Sequence, residues 1–221
     1  MVFGLFGGKS DASADLPAEH GPLGVAIGGA IDIDALGIQA ALAGGEPALE
    51  PPVGGTLIVA AVGTAKLDGA TNLTRYYDND DRILQVMSAP GGGMDTVDDV
   101  SLYRPWDSVE PMTDSAWQRW IGANGLVGQP RYDADGLMFD RFWGDGDGRV
   151  DLVEFTEDVT DGSTTRAIHQ RCMLYARPIG GIDEMLLINI EREVGADVRA
   201  QGGSVEFMIG YGLSPADVRR V

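Results

Sequence analysis

Thr56-Leu57-Ile58-Val59-Ala60-Ala61-Val62 is a nearly unbroken apolar run, and Leu73 to Tyr77 and Ile83 to Met87 follow it at short intervals. The spacing predicts three antiparallel strands. Leu67-Asp68-Gly69-Ala70 supplies the first reversal, because Asp-Gly accepts the positive φ of a tight hairpin, and Asp78-Asn79-Asp80-Asp81 supplies the second. No polar residue alternates through the first run, so both its faces must be covered and it reads as one central strand. The other two are mixed, with Arg75 beside Tyr76 and Tyr77, and Gln85 between Ile83 and Met87. They fit half-buried neighbours.

Upstream, Leu23 to Ile33 alternates loosely through Val25, Ile27 and Ile31 and reads as a strand with a bulge at Gly28-Gly29. Asp34 then caps a short helical turn that runs through Leu42 and ends at Gly44-Gly45. Residues 1–21 read as a flexible leader and linker, apolar in Phe3, Leu5 and Phe6 and then small, polar and proline-bearing.

Downstream, Val97 to Tyr103 is a further short strand. Thr113, Asp114 or Ser115 caps the clearest helix, on which Trp117, Trp120 and Ile121 recur at i, i+3 and i+4 and which Gly122 ends. Two tryptophans on one stripe imply an anchor pressed onto a sheet. Leu137 to Trp143 and Arg149 to Val159 flank Gly144-Asp145-Gly146-Asp147-Gly148 as a hairpin. Thr165 to Arg177, Glu184 to Glu193 and Ser204 to Leu213 are three more extended segments, and Ser214-Pro215 starts a last helical turn. The class is therefore α+β, predominantly antiparallel β, with meander-type sheets and one or two short helices packed on them. Residues 22–221 read as a single β-rich domain, or as two sheets or lobes dividing near 105–130.

The 221 residues carry 34 acids against 16 bases, a formal charge of -18, which repels nucleic acid phosphate and favours a basic partner. No stretch has the roughly 18 apolar residues of a membrane-spanning helix, and no secretory signal pattern is present, so the expected compartment is the cytoplasm. The single cysteine, Cys172, excludes an internal disulfide and a cysteine metal pair.

Asp145-Gly146-Asp147-Gly148 resembles the start of an EF-hand loop, but counting from Asp145 the glycine position holds Val150 and the glutamate position holds Thr156. A solvated turn is the better reading, and no metal or cofactor is expected. His169 shares a strand face with Arg171, Met173 and Tyr175, while Ile168, Gln170, Cys172 and Leu174 take the other, so His169 and Cys172 cannot act as base and nucleophile together. No nucleophile elbow, zinc-binding helix or phosphate loop occurs.

Several patterns together resemble a bacterial family of unknown function, the YjfK-like proteins. They are Pro22-Leu23-Gly24 with Gly28-Gly29-Ala30, Leu73-Thr74-Arg75-Tyr76-Tyr77-Asp78 with Leu84-Gln85-Val86, Arg141-Phe142-Trp143, and Met173-Leu174-Tyr175-Ala176-Arg177 with Glu184-Met185-Leu186-Leu187. Members of that family tend to be encoded near a phage-shock-protein-A-like protein. The resemblance therefore implies a cytoplasmic accessory role in envelope stress, and with the acidic surface and the missing catalytic motifs it points to a non-enzymatic binding or scaffold protein whose partner is a protein, basic or membrane-associated. It concentrates at Arg75, Tyr76, Tyr77, Arg141, Trp143, Tyr175, Arg177 and Glu184, either as a recognition groove or as packing with a satisfied Arg-Glu pair. The alternative is a hydrolase or transferase with an acidic pocket, using a divalent ion or a carboxylate beside His169.

Overall fold

The computed structural model describes residues 20–194 and 203–221, and the leader expected at residues 1–21 lies almost wholly outside them. Along the chain come β1 (Ala30–Ile33), α1 (Leu36–Leu42), β2 (Gly55–Ile58), β3 (Ala61–Lys66), β4 (Asn72–Tyr77), β5 (Ile83–Ser88) and β6 (Val97–Val109). They are followed by α2 (Asp114–Ile121), β7 (Arg131–Ala134), β8 (Leu137–Arg141), β9 (Val153–Thr160), β10 (Thr165–Ile179), β11 (Ile182–Glu193), β12 (Gly203–Leu213) and β13 (Val218–Arg220).

The expected antiparallel β class holds, but the meander sheet does not. Strands in the order β3-β4-β5-β6-β12-β11-β10-β9 close into an eight-stranded antiparallel barrel, because β9 returns to β3 while β11 and β10 pair along nearly their whole length. Strands from both halves of the sequence share this one wall. Closure removes the exposed edges that an open sheet of this size would carry. A second sheet, β13-β1-β2, joins residues near the two ends of the described chain.

The opening apolar run is not one strand. Val59 still pairs with the β1 side, its carbonyl accepting from Gly28 at 2.7 Å and its N–H donating to Gly29 at 2.9 Å, whereas the Ala60 N–H turns to Tyr77 O at 2.8 Å. The run is apolar on both faces because it passes from the small sheet into the barrel at that step. The first hairpin turn is also built otherwise than expected. Asp68 Oδ1 accepts from Ala70 N and Thr71 N at 2.8 and 2.7 Å, and Gly69 does not take a positive φ. Segment 137–159 is no hairpin either: β8 pairs with β7 and β10, while β9 pairs with β3 and β10. Strand β10 is long enough to serve both, giving Thr165 to Cys172 to β9 and Tyr175 and Ala176 to β8.

Helix α2 follows the sequence closely. Thr113 Oγ1 accepts from Ala116 N at 3.1 Å, Gly122 ends the helix, and Trp120 packs edge-on against Phe207 at 5.6 Å between centroids. The larger apolar cluster lies on the outer wall of the barrel, where Tyr76, Leu84, Leu102, Tyr175, Leu186 and Ile209 are covered by the small sheet and both helices. The inward face holds the smaller cluster, with Tyr77, Tyr103, Cys172, Leu174, Leu187 and Met208. Two glycines let the inner side chains meet. A Cβ on Gly63 would strike the Glu157 carboxylate, and one on Gly210 the Tyr103 ring.

Candidate functional site

An eight-stranded barrel is just wide enough to be filled by side chains or to hold one small ligand. This lumen does both, in different halves. Toward one end it is packed with polar groups. Arg75, 1% exposed, donates from Nη1 to Glu157 Oε2 at 3.0 Å and from Nε to Gln85 Oε1 at 3.0 Å, and its guanidinium lies 5.6 Å from the centre of the Phe155 ring. Tyr77 donates to the other Glu157 oxygen at 2.7 Å. Gln170 Nε2 bridges Glu157 at 3.0 Å and Glu191 at 3.2 Å.

Burial opposes the charge on Arg75, yet the adjoining Glu157 and its neighbours outweigh this and keep the guanidinium pKa above its ordinary value. Glu191 is pushed up to about 7, first by burial and then by the Glu157 charge. The Cys172 thiol, donating to Asn189 Oδ1 at 2.9 Å, is pushed up to about 12 by burial and is therefore unreactive.

Toward the other end the lumen opens into a cavity of about 540 Å³. Leu73, Met87, Tyr103, Phe155, Leu174 and Met185 make most of its wall, Arg75 and Gln85 reach it from the polar half, and Asp98, Asp99 and Ser101 add polar groups. Phe142 and Trp143 stand over it on the loop after β8. Arg141 holds that loop. Its guanidinium donates to the carbonyls of Gly128, Gly148 and Gly146 at 2.7–2.8 Å, with Asp145 and Gly144 at 3.2 and 3.3 Å. The Asp-Gly loop thus has a protein cation at its centre, and no group of three or more potential metal ligands exists among the described residues.

Of the eight residues that carry the resemblance, Arg75 and Trp143 line this cavity, and Tyr77 joins the polar network behind it. Tyr76 and Tyr175 point to the outer wall. The Tyr76 hydroxyl accepts from Leu23 N at 3.2 Å and donates to His20 O at 2.8 Å, while the Tyr175 hydroxyl accepts from Gly128 N at 2.8 Å. Arg177 and Glu184 form a separate pair outside the lumen, described below. Glu157, Gln170, Glu191 and Phe155 escaped the sequence reading as site residues. Their signal was a polar residue on an otherwise apolar strand face, as in Phe155-Glu157-Val159 and Ile168-Gln170-Cys172.

Among the described residues two other concavities are less suited to hold a ligand. One of about 690 Å³, lined by Thr64, Lys66, Asn72, Thr74 and Asp158, is broad and adjoins Gly21. Another, of about 180 Å³, holds His169 with Glu154 at 3.7 Å. Both side chains are over 40% exposed, and Glu154 is also bound by Arg171 at 2.7 Å.

Among the described residues no helix is long and apolar enough to cross a membrane, which says nothing about strands. A family model described as "Protein of unknown function (DUF2491)" matches residues 1–219. The chain is also 28% identical over 175 residues to "Uncharacterized protein YjfK" of Escherichia coli (strain K12), covering 78% of each chain, so the resemblance to YjfK-like proteins holds. No solved structure matches.

Proposed function

Because the chain belongs to the DUF2491 family of proteins of unknown function, we propose a function from its geometry: it is a non-enzymatic cytoplasmic protein that binds one small apolar molecule in the barrel lumen. The observation that carries this reading is the cavity of about 540 Å³, apolar-walled, with buried Arg75 and Gln85 at its inner end. Pockets of this size, mostly apolar with a few convergent polar groups, suit small ligands. The accessory role in envelope stress implied by the family resemblance fits a carrier or sensor of such a molecule, and the acidic surface suits a basic protein partner. An enzymatic reading rests on the single Glu154–His169 distance, and Arg171 already occupies that carboxylate.

A plug tests the proposal. Gly212 lines the cavity, its φ is not left-handed, and a Cβ there meets nothing within 4 Å, so Gly212→Trp fills the lumen without a backbone clash. The uncharged dye Nile red is expected to bind the natural protein saturably at one site. Gly212→Trp is expected to lose that binding while its thermal unfolding midpoint stays within about 3 °C. Equal dye binding by both proteins overturns the reading.

A further inference from the structure

The ligand-binding reading can be narrowed to a ligand class, because the inner end of the cavity has a definite hydrogen-bonding polarity. Gln85 Oε1 accepts the Arg75 Nε–H at 3.0 Å. A guanidinium only donates, so chemistry settles which end of the Gln85 amide faces it, and the amide N–H₂ is the end left over. That donor makes no hydrogen bond to a described residue and is open to the cavity that Gln85, 7% exposed, lines. Ser101, also on the wall, has turned its hydroxyl proton to Asp99 Oδ2 at 3.1 Å. An incoming group is therefore met at Gln85 by a free donor.

Charge decides what kind of acceptor. The Arg75 cation is already matched by Glu157 at 3.0 Å, and a second carboxylate, Glu191, shares Gln170 with it. Asp98 and Asp99 line the cavity, and the whole chain has a formal charge of -18. A ligand carboxylate would add a further negative charge to a lumen where the charge of Arg75 is already balanced by Glu157, in surroundings of low dielectric where like charges repel strongly. A neutral carbonyl meets the same donor without that penalty.

We propose that the lumen takes an uncharged apolar chain whose leading carbonyl accepts a hydrogen bond from Gln85, and that it discriminates against the carboxylate of the same length. This rests on the lumen being a binding site at all, and the experiment separates the two.

Calorimetric titration of the full chain at pH 7.5 compares decanamide with decanoate, with Nile red as the reference for an open lumen. Decanamide is expected to bind about tenfold tighter than decanoate, the worth of one buried hydrogen bond without an opposing charge. Gln85→Glu keeps the acceptor for Arg75 Nε but removes the donor, and is expected to weaken decanamide by about tenfold while Nile red still binds. Gln85→Met removes the donor without adding charge and gives the same loss, which guards against a folding defect in the first variant. Decanoate binding as tightly as decanamide, or decanamide unaffected by both substitutions, overturns this inference and leaves the binding reading standing. Absence of saturable Nile red binding to the natural protein removes both.

Discussion

Two Arg-Glu pairs with fully buried carboxylates stand in this barrel, one on each side of its wall. Outside, Glu184 accepts from Arg177 Nε at 2.7 Å, from the Tyr211 hydroxyl at 2.5 Å and from Ala48 N at 2.9 Å. Arg177 in turn donates to Glu46 O at 2.6 Å and lies 5.3 Å from the centre of the Phe139 ring. Every strong group there is used to join β10, β11 and β12 to the segment before β2. Inside, Glu157 is as deeply buried and Arg75 is more so than Arg177, yet they stand beside a cavity and leave the Gln85 amide N–H₂ unspent. Both carboxylates are buried and paired. What marks a binding site is hydrogen-bonding capacity left over at the edge of a cavity.

Removing one partner from each pair tests the contrast, and the outer pair is expected to suffer more. Glu184→Ala strands Arg177, Tyr211 and Ala48 N together, for a loss of about 3–5 kcal/mol in urea unfolding at any pH from 5 to 8. Arg75→Met leaves Glu157 with the Tyr77 hydroxyl and the Gln170 amide still donating to it, so its cost is smaller, about 2–3 kcal/mol in urea unfolding. Equal losses for the two variants would erase the distinction between them.

The smallest effect concerns the second carboxylate of the lumen. The folded pKa of Glu191, about 7, stands above the ordinary 4.5 of a solvated glutamate, so the native state keeps a proton that the unfolded chain releases. Stability therefore falls as pH rises from 4.5 to about 7 and is level above that. Glu191→Gln removes this slope. Relative to the natural protein, the variant is expected to gain about 1–2 kcal/mol between pH 5 and pH 8, a value discounted for the partial exposure of the site. An unchanged slope in urea unfolding across that range would mean that Glu191 carries its charge in the folded lumen.

Much of the wall was legible before the fold was known. Strands β4, β5, β10, β11 and β12, helix α2 with its Thr113 cap, and the Ser214-Pro215 turn all follow from period, caps and turn residues. The failures share a cause. Splitting the run at Val59–Ala60, handing the end of β10 to β8 rather than β9, and closing β9 onto β3 are choices of partner between segments far apart in sequence. Of the site, Arg75 and Trp143 were singled out by resemblance, whereas Glu157, Gln170 and Glu191 were passed over among 34 acids and other polar residues.

The amino-acid sequence by itself determined the net charge of -18, and its order determined the class of local structure and the alternation that put Ile168, Gln170, Cys172 and Leu174 on one face, since these last depend on neighbours a few residues apart. Whether that face looked into a lumen or out to solvent was decided only when the eight strands met. Closure of a sheet is a property of all its pairings at once. Until the ring is complete no residue is inside it, and Arg75 and Gln85 have no cavity to face.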